Sequence, residues 1–346
     1  MTPSKSTTAG WLPVEIGLDL QPAVVQEALV RWMEFGSTPL TEPFLNHTIE
    51  KLRAATPAAR EIETDLDTMV RLSSRLPEVR PAGFIFHISH CGSTLIANAM
   101  KTAGRAVVVS ESRPVSALLR HVPEKRDGAF LTRRWNGIRR TLLDSLFRLF
   151  AHYRTGASEP LVLKFVSLDT LAIGVIRSYW PDVPCVMVIR DPVEVMVTNL
   201  KVGGWLSFKG HPEAASSVFG WDDLPRTTAE MTNEEFCARA LGSFCASAAE
   251  AVDERVMVVD YVDLSPAKMC EIGEFFSLEV SSAGIEQVFG PYAKDPQKKI
   301  RFEDDRERKQ KMAGMMIRSA ANQWAVGPYT DLKNLRRRRS QSWCKL

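Results

Sequence analysis

The chain has 346 residues, with 44 Lys and Arg against 41 Asp and Glu, a formal net charge of +3 and 45% hydrophobic residues. This balance excludes a wholly basic nucleic-acid coat and an acidic disordered segment, and the length allows one large domain with an extension or two modest ones. The charge is uneven, because residues 333–346 hold six basic residues and no acid, which leaves 38 basic against 41 acidic residues in positions 1–332. The sequence therefore predicts a mildly acidic body and a basic C-terminal tail over residues 333–346, centred on Arg336–Arg339.

The cysteines and the N-terminus indicate the compartment. The six cysteines are scattered and show neither the CxxC spacing nor the Cys/His spacing of a metal site. The first residues lack the apolar core of a signal peptide, and no stretch approaches the ~18 apolar residues that a membrane span requires. We therefore expect a cytoplasmic protein with reduced thiols, no metal and no membrane contact.

Residues 1–80 carry helical patterns and little chemistry. Apolar residues recur with helical spacing around Pro22–Phe35 and Phe44–Ala55. Thr56 can then cap a third helix, with Pro57 at its first position. The pattern predicts a helical N-terminal extension over residues 1–80, packed on the main domain.

From residue 81 onward, short β-branched runs alternate with helical patterns. The predicted strands are Gly83–Ser89, Ala106–Ser110, Leu161–Phe165, Cys185–Ile189 and Arg255–Val259. The predicted helices between them are Leu95–Thr102, Leu131–Tyr153, Leu168–Trp180 and Asn233–Val252. This alternation predicts an α/β domain over residues 81–332, with three layers (α/β/α) and a mostly parallel central sheet. Ligands of such sheets bind at the carboxyl ends of the strands.

The turn after the first of these strands has the composition of a phosphate-binding loop. It runs through Cys91, Gly92, Ser93 and Thr94 into a helix, so that backbone N–H groups and the helix N-terminus face one point. Gly92 is followed by Ser93 and not by the lysine of a Walker loop, which argues against hydrolysis of ATP or GTP. A plain tight turn is the alternative interpretation.

A second anion site is indicated after the strand Cys185–Ile189. Arg190 follows the strand directly, and Thr198 lies eight residues later, about two helical turns along the same side. Arginine offers a planar fork of donors that suits a phosphate. An ion pair between Arg190 and Asp191 at the start of the helix is the alternative.

Together these motifs resemble those of the P-loop-like sulfotransferases, which use 3′-phosphoadenosine 5′-phosphosulfate (PAPS). The family's phosphosulfate loop, a Lys or Arg followed by Ser-Gly-Thr-Thr, is matched by His90, Cys91, Gly92, Ser93, Thr94 and Leu95. Its 3′-phosphate element, Arg-x-Pro with a hydroxyl eight residues after the Arg, is matched by Arg190, Pro192 and Thr198. Two later motifs, Val259–Leu264 and Phe275–Leu278, follow in the family's order, so that the resemblance covers roughly residues 82–306.

The resemblance implies a P-loop-NTPase-like fold and transfer of a sulfuryl group from PAPS to a hydroxyl or amine of a small-molecule acceptor. It implies that the loop and Arg190 bind the donor, and that Glu111, after the second strand, is the catalytic base. His90 stands where the family has a Lys or Arg, and a protonated His90 can take the place of that cation. A surface pair of Glu111 with Arg113 is the alternative for the base, and Lys164 is either a further cation of the site or an ordinary strand-end lysine.

Two further parts of the site, the acceptor pocket and the basic residues towards the end of the chain, carry no distinctive motif. The long segment Lys201–Met231 carries several aromatic residues and predicts an apolar or ring-bearing acceptor. The resemblance places basic residues over the 3′-phosphate, for which Lys298, Lys299 and Arg301 are candidates, whereas Glu303–Lys311 reads equally well as a solvated charged helix.

Three other functions stay open on the sequence. A P-loop phosphotransferase using ATP needs a loop lysine and an acid for Mg²⁺, and the loop offers no lysine. A non-catalytic protein of the same fold would bind the nucleotide without transfer. Nucleic-acid binding through Arg336–Arg339 rests on a terminal charge run, and such runs are usually solvated tails. The sequence leaves open the acceptor, the oligomeric state and the role of residues 1–80.

Overall fold

The computed structural model describes residues 9–18, 28–55, 60–121, 128–154, 159–221, 230–289 and 304–343. The N-terminal region is a small antiparallel sheet with two helices. Its elements are β1 (Trp11–Ile16), β2 (Leu29–Glu34), α1 (Leu45–Ala55), β3 (Glu61–Asp65) and α2 (Leu66–Ser73), with strand order β1-β2-β3.

The prediction of helices in this region is confirmed for Phe44–Ala55 and for the part of the third helix that forms α2, and it is wrong for the segments that form β1, β2 and β3. Val30 and Trp32 point inward on β2 while Arg31 points outward and pairs with Glu15 at 2.7 Å. The Trp32 indole donates to Thr64 Oγ1 on β3 at 2.9 Å. A short strand whose pattern also fits a helical face is decided by such cross-strand contacts, which sequence periodicity does not reveal. The predicted cap at Thr56 and Pro57 lies outside the described residues.

The central feature of the chain is a five-stranded sheet whose pairs are all parallel, where the sequence predicted a mostly parallel sheet. The strands are β4 (Gly83–His87), β5 (Val107–Ser110), β6 (Leu161–Lys164), β7 (Cys185–Ile189) and β8 (Val256–Asp260), in the order β5-β6-β4-β7-β8. All five predicted strands are present, with ends that differ by one or two residues. β4 and β7 are buried along their whole length, since helices cover both faces.

Helices on both faces complete the three-layer α/β/α fold. The first group is α3 (Ser93–Thr102), α4 (Arg113–Arg120), α5 (Gly128–His152), α6 (Ile173–Tyr179), α7 (Pro192–Val202), α8 (Pro212–Phe219) and α9 (Asn233–Glu250). After β8 follow α10 (Pro266–Phe275), α11 (Ser282–Phe289), α12 (Arg306–Met312), α13 (Met315–Trp324) and α14 (Val326–Trp343). The predicted helix Leu168–Trp180 is a 3-10 helix over Ser167–Ala172 that continues into α6. No described helix has the length and apolar character needed to cross a membrane.

The strand order creates a crevice beside β4. The chain leaves β4 through α3 towards β5 on one side, and the crossover from β6 takes it past β4 to β7 on the other. Right-handed crossovers in opposite directions place their helices on opposite faces, so the loops after β4 and β7 separate at the carboxyl ends of these strands. This position is the usual ligand site of an open parallel sheet.

The basic C-terminal segment is not a free tail in the part that the structure describes. It continues α14, and Lys333 pairs with Asp260 Oδ2 at 2.7 Å at the end of β8. Arg336 pairs with Asp263 Oδ2 at 2.6 Å, and the Tyr329 hydroxyl donates to Asp260 Oδ2 at 3.1 Å. These contacts attach α14 to the same edge of the sheet as the crevice.

Candidate functional site

A cavity of about 950 Å³ opens at the carboxyl ends of β4, β6 and β7. It is lined by the residues predicted for the phosphosulfate loop, the base and the Arg-x-Pro element, namely His90, Cys91, Gly92, Ser93, Thr94, Leu95, Glu111, Arg190 and Thr198. Lys164 lines it as well. Among the described residues, no cluster of three or more His, Cys, Asp or Glu side chains is arranged to hold a metal ion.

The loop Ser89–Thr94, here called the cradle loop, has a conformation suited to glycine at its centre. Ser89, His90 and Gly92 have φ values of 76°, 47° and 87°. A Cβ on Gly92 would lie 2.2 Å from Leu264 Cδ1, so a larger residue would require Leu264 to shift and would also be strained at a φ of 87°. Gly92 is also the N-cap of α3 and has no side chain with which to cap it, so the first N–H groups of the helix are available to an anion.

Cys91 anchors the cradle loop. Its thiol donates to the backbone oxygen of Val188 on β7 at 3.3 Å. Burial raises the pKa of Cys91 to about 11, so the thiol stays protonated and unreactive. We therefore assign Cys91 to holding the loop against the sheet.

Arg190 is buried beside this loop and remains charged. Its Nη1 donates to the backbone oxygen of His90 at 3.1 Å, its guanidinium lies 3.9 Å from the ring centroid of Tyr261, and its Nε donates to Glu194 at 2.8 Å. Burial lowers the pKa of Arg190, but hydrogen bonds to Asp305 and Glu194 outweigh it and raise the pKa above its usual value. The guanidinium is thus a fixed positive charge in the cavity.

The expected alternative for Arg190, a pair with Asp191, does not form. Asp191 instead caps α7, accepting from the backbone N–H of Val193 at 2.9 Å. The partners of Arg190 are Glu194 and Asp305, from α7 and from the residue before α12. Thr198 follows one turn after Glu194 and lines the same cavity.

Glu111 and Lys164 form an ion pair on the other side of the cradle loop, in which the ammonium is buried and the carboxylate is half-buried. β5 and β6 align Ser110 with Lys164, and Glu111, which follows with φ 57°, donates its backbone N–H to Lys164 O at 2.7 Å. The Lys164 ammonium, 1% exposed, contacts Glu111 Oε1. Burial alone would raise the pKa of Glu111, but Lys164 and His87 outweigh it and hold the pKa at about 2. Arg113, the partner of Glu111 in the alternative interpretation, is exposed at the start of α4.

The N-terminal region supplies a wall of the cavity that the sequence did not indicate. Pro43, Phe44 and His47 line it, and the Lys164 ammonium lies 5.2 Å from the ring centroid of Phe44. Lys101 on α3 donates to Glu42 O at 2.6 Å and holds this segment in place. The sequence carried no signal for this wall, because it is formed by residues distant in the chain.

The expectation that the aromatics of Lys201–Met231 line the acceptor site is not met for the described residues. Trp205, Phe219 and Trp221 are buried in the hydrophobic core. Phe219 stacks on Trp221 with centroids 4.7 Å apart, and both contact Phe236 on α9. From this segment Lys201 alone is among the described residues that line the cavity.

The structure describes only some of the basic residues between positions 298 and 311. Lys298, Lys299 and Arg301 lie outside the described residues. α12 brings Arg308 and Lys309 to the cavity instead, and Lys309, 9% exposed at its side chain, pairs with Asp305 at 3.1 Å. The expectation of a solvated charged helix is therefore wrong for Lys309.

Asp169, in the segment after β6, makes the stability of the fold depend on pH. It is buried, and its Oδ2 accepts from Ser116 Oγ at 2.5 Å and from the Val166 N–H at 3.3 Å. Burial raises the pKa of Asp169 to about 6. A raised pKa means that this carboxyl stabilises the fold fully below its unfolded pKa, and that the contribution is lost as the pH rises through about 6.

We therefore expect Asp169→Asn to remove a pH-dependent loss of stability. Between the unfolded pKa of 3.8 and about 6 the wild type should lose on the order of 2–3 kcal/mol that the variant keeps. Denaturant unfolding of both proteins at a series of pH values measures it. Parallel pH profiles would show that Asp169 does not titrate in this range.

The chain resembles known proteins only distantly. No family model matches it, and no curated protein matches it. Among solved structures, a sulfotransferase from Alicyclobacillus acidocaldarius is 14% identical, with a TM-score of 0.40 over 75% of this chain and 96% of that one. The sulfotransferase domain from the curacin biosynthetic pathway is 13% identical, with a TM-score of 0.37 over 76% and 99%. Retinol dehydratase in a complex with retinol and PAP is 15% identical, with a TM-score of 0.30 over 78% and 89%.

Proposed function

We propose that the chain is a sulfotransferase that moves a sulfuryl group from PAPS to a hydroxyl or amine of a small molecule. The observation that carries the proposal is the meeting of two anion-binding elements in one cavity. The buried guanidinium of Arg190 donates to the backbone of His90 in the cradle loop at 3.1 Å. PAPS carries anionic groups at both its 5′ and its 3′ ends, which suits two such elements.

The donor would be held at both ends. The N–H groups of the cradle loop, with the hydroxyls of Ser93 and Thr94, would bind the 5′-phosphosulfate. Arg190 and Thr198 would bind the 3′-phosphate, because a guanidinium can donate two parallel hydrogen bonds to a phosphate. Asp305 now pairs with Arg190, so a phosphate at this position would have to replace that carboxylate.

Glu111 and Lys164 would carry out the transfer. The acceptor oxygen or nitrogen forms a bond to sulfur, the bond between sulfur and the phosphate oxygen breaks, and 3′-phosphoadenosine 5′-phosphate (PAP) leaves. Glu111 is ionised and can take the proton that the acceptor loses. Lys164 pairs with Glu111. When the anionic donor binds, the Lys164 ammonium would also be attracted to the donor and would stabilise the ionised form of Glu111 less. The pKa of Glu111 would then rise, and its carboxylate would be a better base.

The acceptor would enter along the wall formed by the N-terminal region. Phe44 lies next to the Lys164 ammonium, and Pro43 and His47 continue the same wall. Glu111 lines the cavity beside them. On this proposal Pro43, Phe44 and His47 of the N-terminal region would contact the acceptor.

Binding of adenine nucleotides tests the proposal directly. PAP at one hundred times its Kd should raise the melting temperature by roughly 3–6 °C, whereas AMP at the same concentration should shift it far less, because AMP has no 3′-phosphate. Incubation with PAPS and a panel of alcohols, phenols and amines should then release PAP. An equal shift with Mg²⁺ and ATP would favour a phosphotransferase, and PAP binding without any transfer would favour a non-catalytic protein.

A further inference from the structure

His87 lies where the cradle loop, β6 and Glu111 meet. It is the last residue of β4 and is 5% exposed. β4 lies between β6 and β7, and His87 aligns with the apolar Val188 on β7. On the β6 side the ring approaches Phe165 and Glu111. The ring is therefore enclosed by backbone groups and by the pair of Glu111 and Lys164.

The hydrogen bonds of the ring fix its tautomer. The backbone N–H of Ser89 donates to His87 Nδ1 at 3.1 Å, so Nδ1 carries no proton. Nε2 lies 3.0 Å from the backbone oxygen of Phe165, which can only accept, so Nε2 carries the proton. The same Nε2–H lies 3.7 Å from Glu111 Oε1. Two independent contacts thus require the same tautomer.

The ring is also held neutral. Burial lowers the pKa of His87, the Lys164 ammonium lowers it further, and Glu111 opposes both without reversing the direction. These two are the charged groups that face the ring, from the end of β6 and from the residue after β5. With Nδ1 accepting and Nε2 donating, the ring has no free lone pair with which to act as a base.

We propose that His87 is a positioning residue that fixes the cradle loop through a hydrogen bond to Nδ1 and attracts the Glu111 carboxylate electrostatically through its Nε2–H, with Nε2 3.7 Å from Glu111 Oε1. Ser89 has a φ of 76°, a conformation that a residue other than glycine adopts at a cost of about 1–3 kcal/mol unless its surroundings hold it. The hydrogen bond from the Ser89 N–H to His87 Nδ1 helps to hold Ser89 in this conformation. The ring of His87 thereby fixes the position of the cradle loop, which would bind the donor, relative to Glu111, which would act on the acceptor. The kinetic part of this inference rests on the proposed function.

Two substitutions separate the hydrogen bond at Nδ1 from the electrostatic contact at Nε2. In His87→Asn the amide oxygen can replace Nδ1, and in His87→Gln the amide NH₂ can replace the Nε2–H. We expect His87→Asn to keep the Kd for PAP within about twofold and to lower kcat at least tenfold. We expect His87→Gln to raise the Kd for PAP about tenfold and to keep kcat at saturating PAPS within about threefold.

The control is His152→Gln, which changes a buried histidine on α5 outside the cavity. It should lower the melting temperature and leave both Kd and kcat unchanged. A merely structural role for His87 would make its two variants lose stability, affinity and kcat together. Parallel losses in both variants, or no loss in either, would overturn the proposal.

A second measurement does not depend on PAP. In ¹⁵N-histidine NMR spectra of the ligand-free protein, His87 should show the Nε2–H tautomer and a pKa below that of an exposed histidine. An Nδ1–H tautomer, or a pKa at or above that of an exposed histidine, would overturn the positioning role. If the wild type failed to bind PAP while this spectrum was observed, the proposed function would fail and the placement of His87 would stand.

Discussion

Arg190→Ala is expected to abolish the rise in melting temperature that PAP produces. The guanidinium is 4% exposed at its side chain and is held by the ring of Tyr261 and by the backbone oxygen of His90. Removing one partner of a buried, hydrogen-bonded charge pair costs about 2–5 kcal/mol of binding, which corresponds to roughly 30-fold or more in Kd. Differential scanning fluorimetry with increasing PAP measures the loss.

Arg190→Ala also leaves the buried carboxylate of Glu194 without its partner, so the variant will melt at a lower temperature even without ligand. Arg190→Lys keeps the positive charge but loses the planar fork and the stacking over Tyr261, and an intermediate shift is expected. The matched control is Arg80→Ala, an exposed arginine just before β4 at the opposite edge of the sheet, which donates to Asp182 O at 2.8 Å. An unchanged PAP shift in Arg190→Ala would remove Arg190 from the donor site.

The central sheet was predictable because its strands are continuous buried runs. Cys185–Ile189 is fully buried and reads as apolar at every position, which is the pattern of a strand covered on both faces. The N-terminal strands were not predictable, since Leu29–Glu34 is short and its register depends on partners on either side of it. An alternating pattern of six residues does not distinguish a half-buried strand from a turn and a half of helix.

The site was predictable where residues directly follow strands. The cradle loop follows β4, Glu111 follows β5 and Arg190 follows β7, and the carboxyl ends of parallel strands share one edge. The pairing of Glu111 with Lys164 needed the sheet order, because it depends on β5 lying next to β6 with Ser110 aligned to Lys164. Once that order is known, the pair follows from the register alone.

The remaining parts of the site come from distant segments, and no pattern in the sequence indicates where they lie. Phe44 belongs to the N-terminal region and Asp305 precedes α12. The aromatic residues of Lys201–Met231 were predicted near the site and lie elsewhere. An aromatic residue in a long connection can pack in the core as well as line a cavity, and the sequence does not distinguish the two. Trp205 illustrates this, with its indole donating to Ser167 Oγ at 3.3 Å and its ring against Phe244.

Lys164→Met is expected to have the largest effect on transfer and a large effect on stability. Removing one partner of a buried ion pair costs about 3–5 kcal/mol, and because the Glu111 side chain is 27% exposed the lower end of this range is expected. His87 Nε2 would remain 3.7 Å from Glu111 Oε1, beyond hydrogen-bond distance. Removing a preorganised charge from a reacting centre typically lowers kcat by about 10²–10³. Denaturant unfolding and PAPS turnover measure the two effects separately.

The pH dependence of stability should change sign in this variant. In the wild type the pKa of Glu111 is about 2, below its usual 4.5, so the stability that Glu111 contributes is present above 4.5 and is lost as the pH falls towards 2. Without Lys164, the effect of burial on Glu111 is no longer outweighed, and the pKa of Glu111 should rise above 4.5. The stability that Glu111 contributes would then be lost as the pH rises.

The double variant Glu111→Gln with Lys164→Met separates charge balance from catalysis. It removes both charges at once and leaves no uncompensated carboxylate, so it should recover most of the stability that Lys164→Met loses. Transfer should stay absent, because neither the base nor the cation is present. If Lys164→Met alone transferred sulfuryl groups at the wild-type rate, Lys164 would only balance the charge of Glu111. Recovery of stability without recovery of transfer is the result that assigns this pair to the chemistry, because a pair that served only the fold would restore both together.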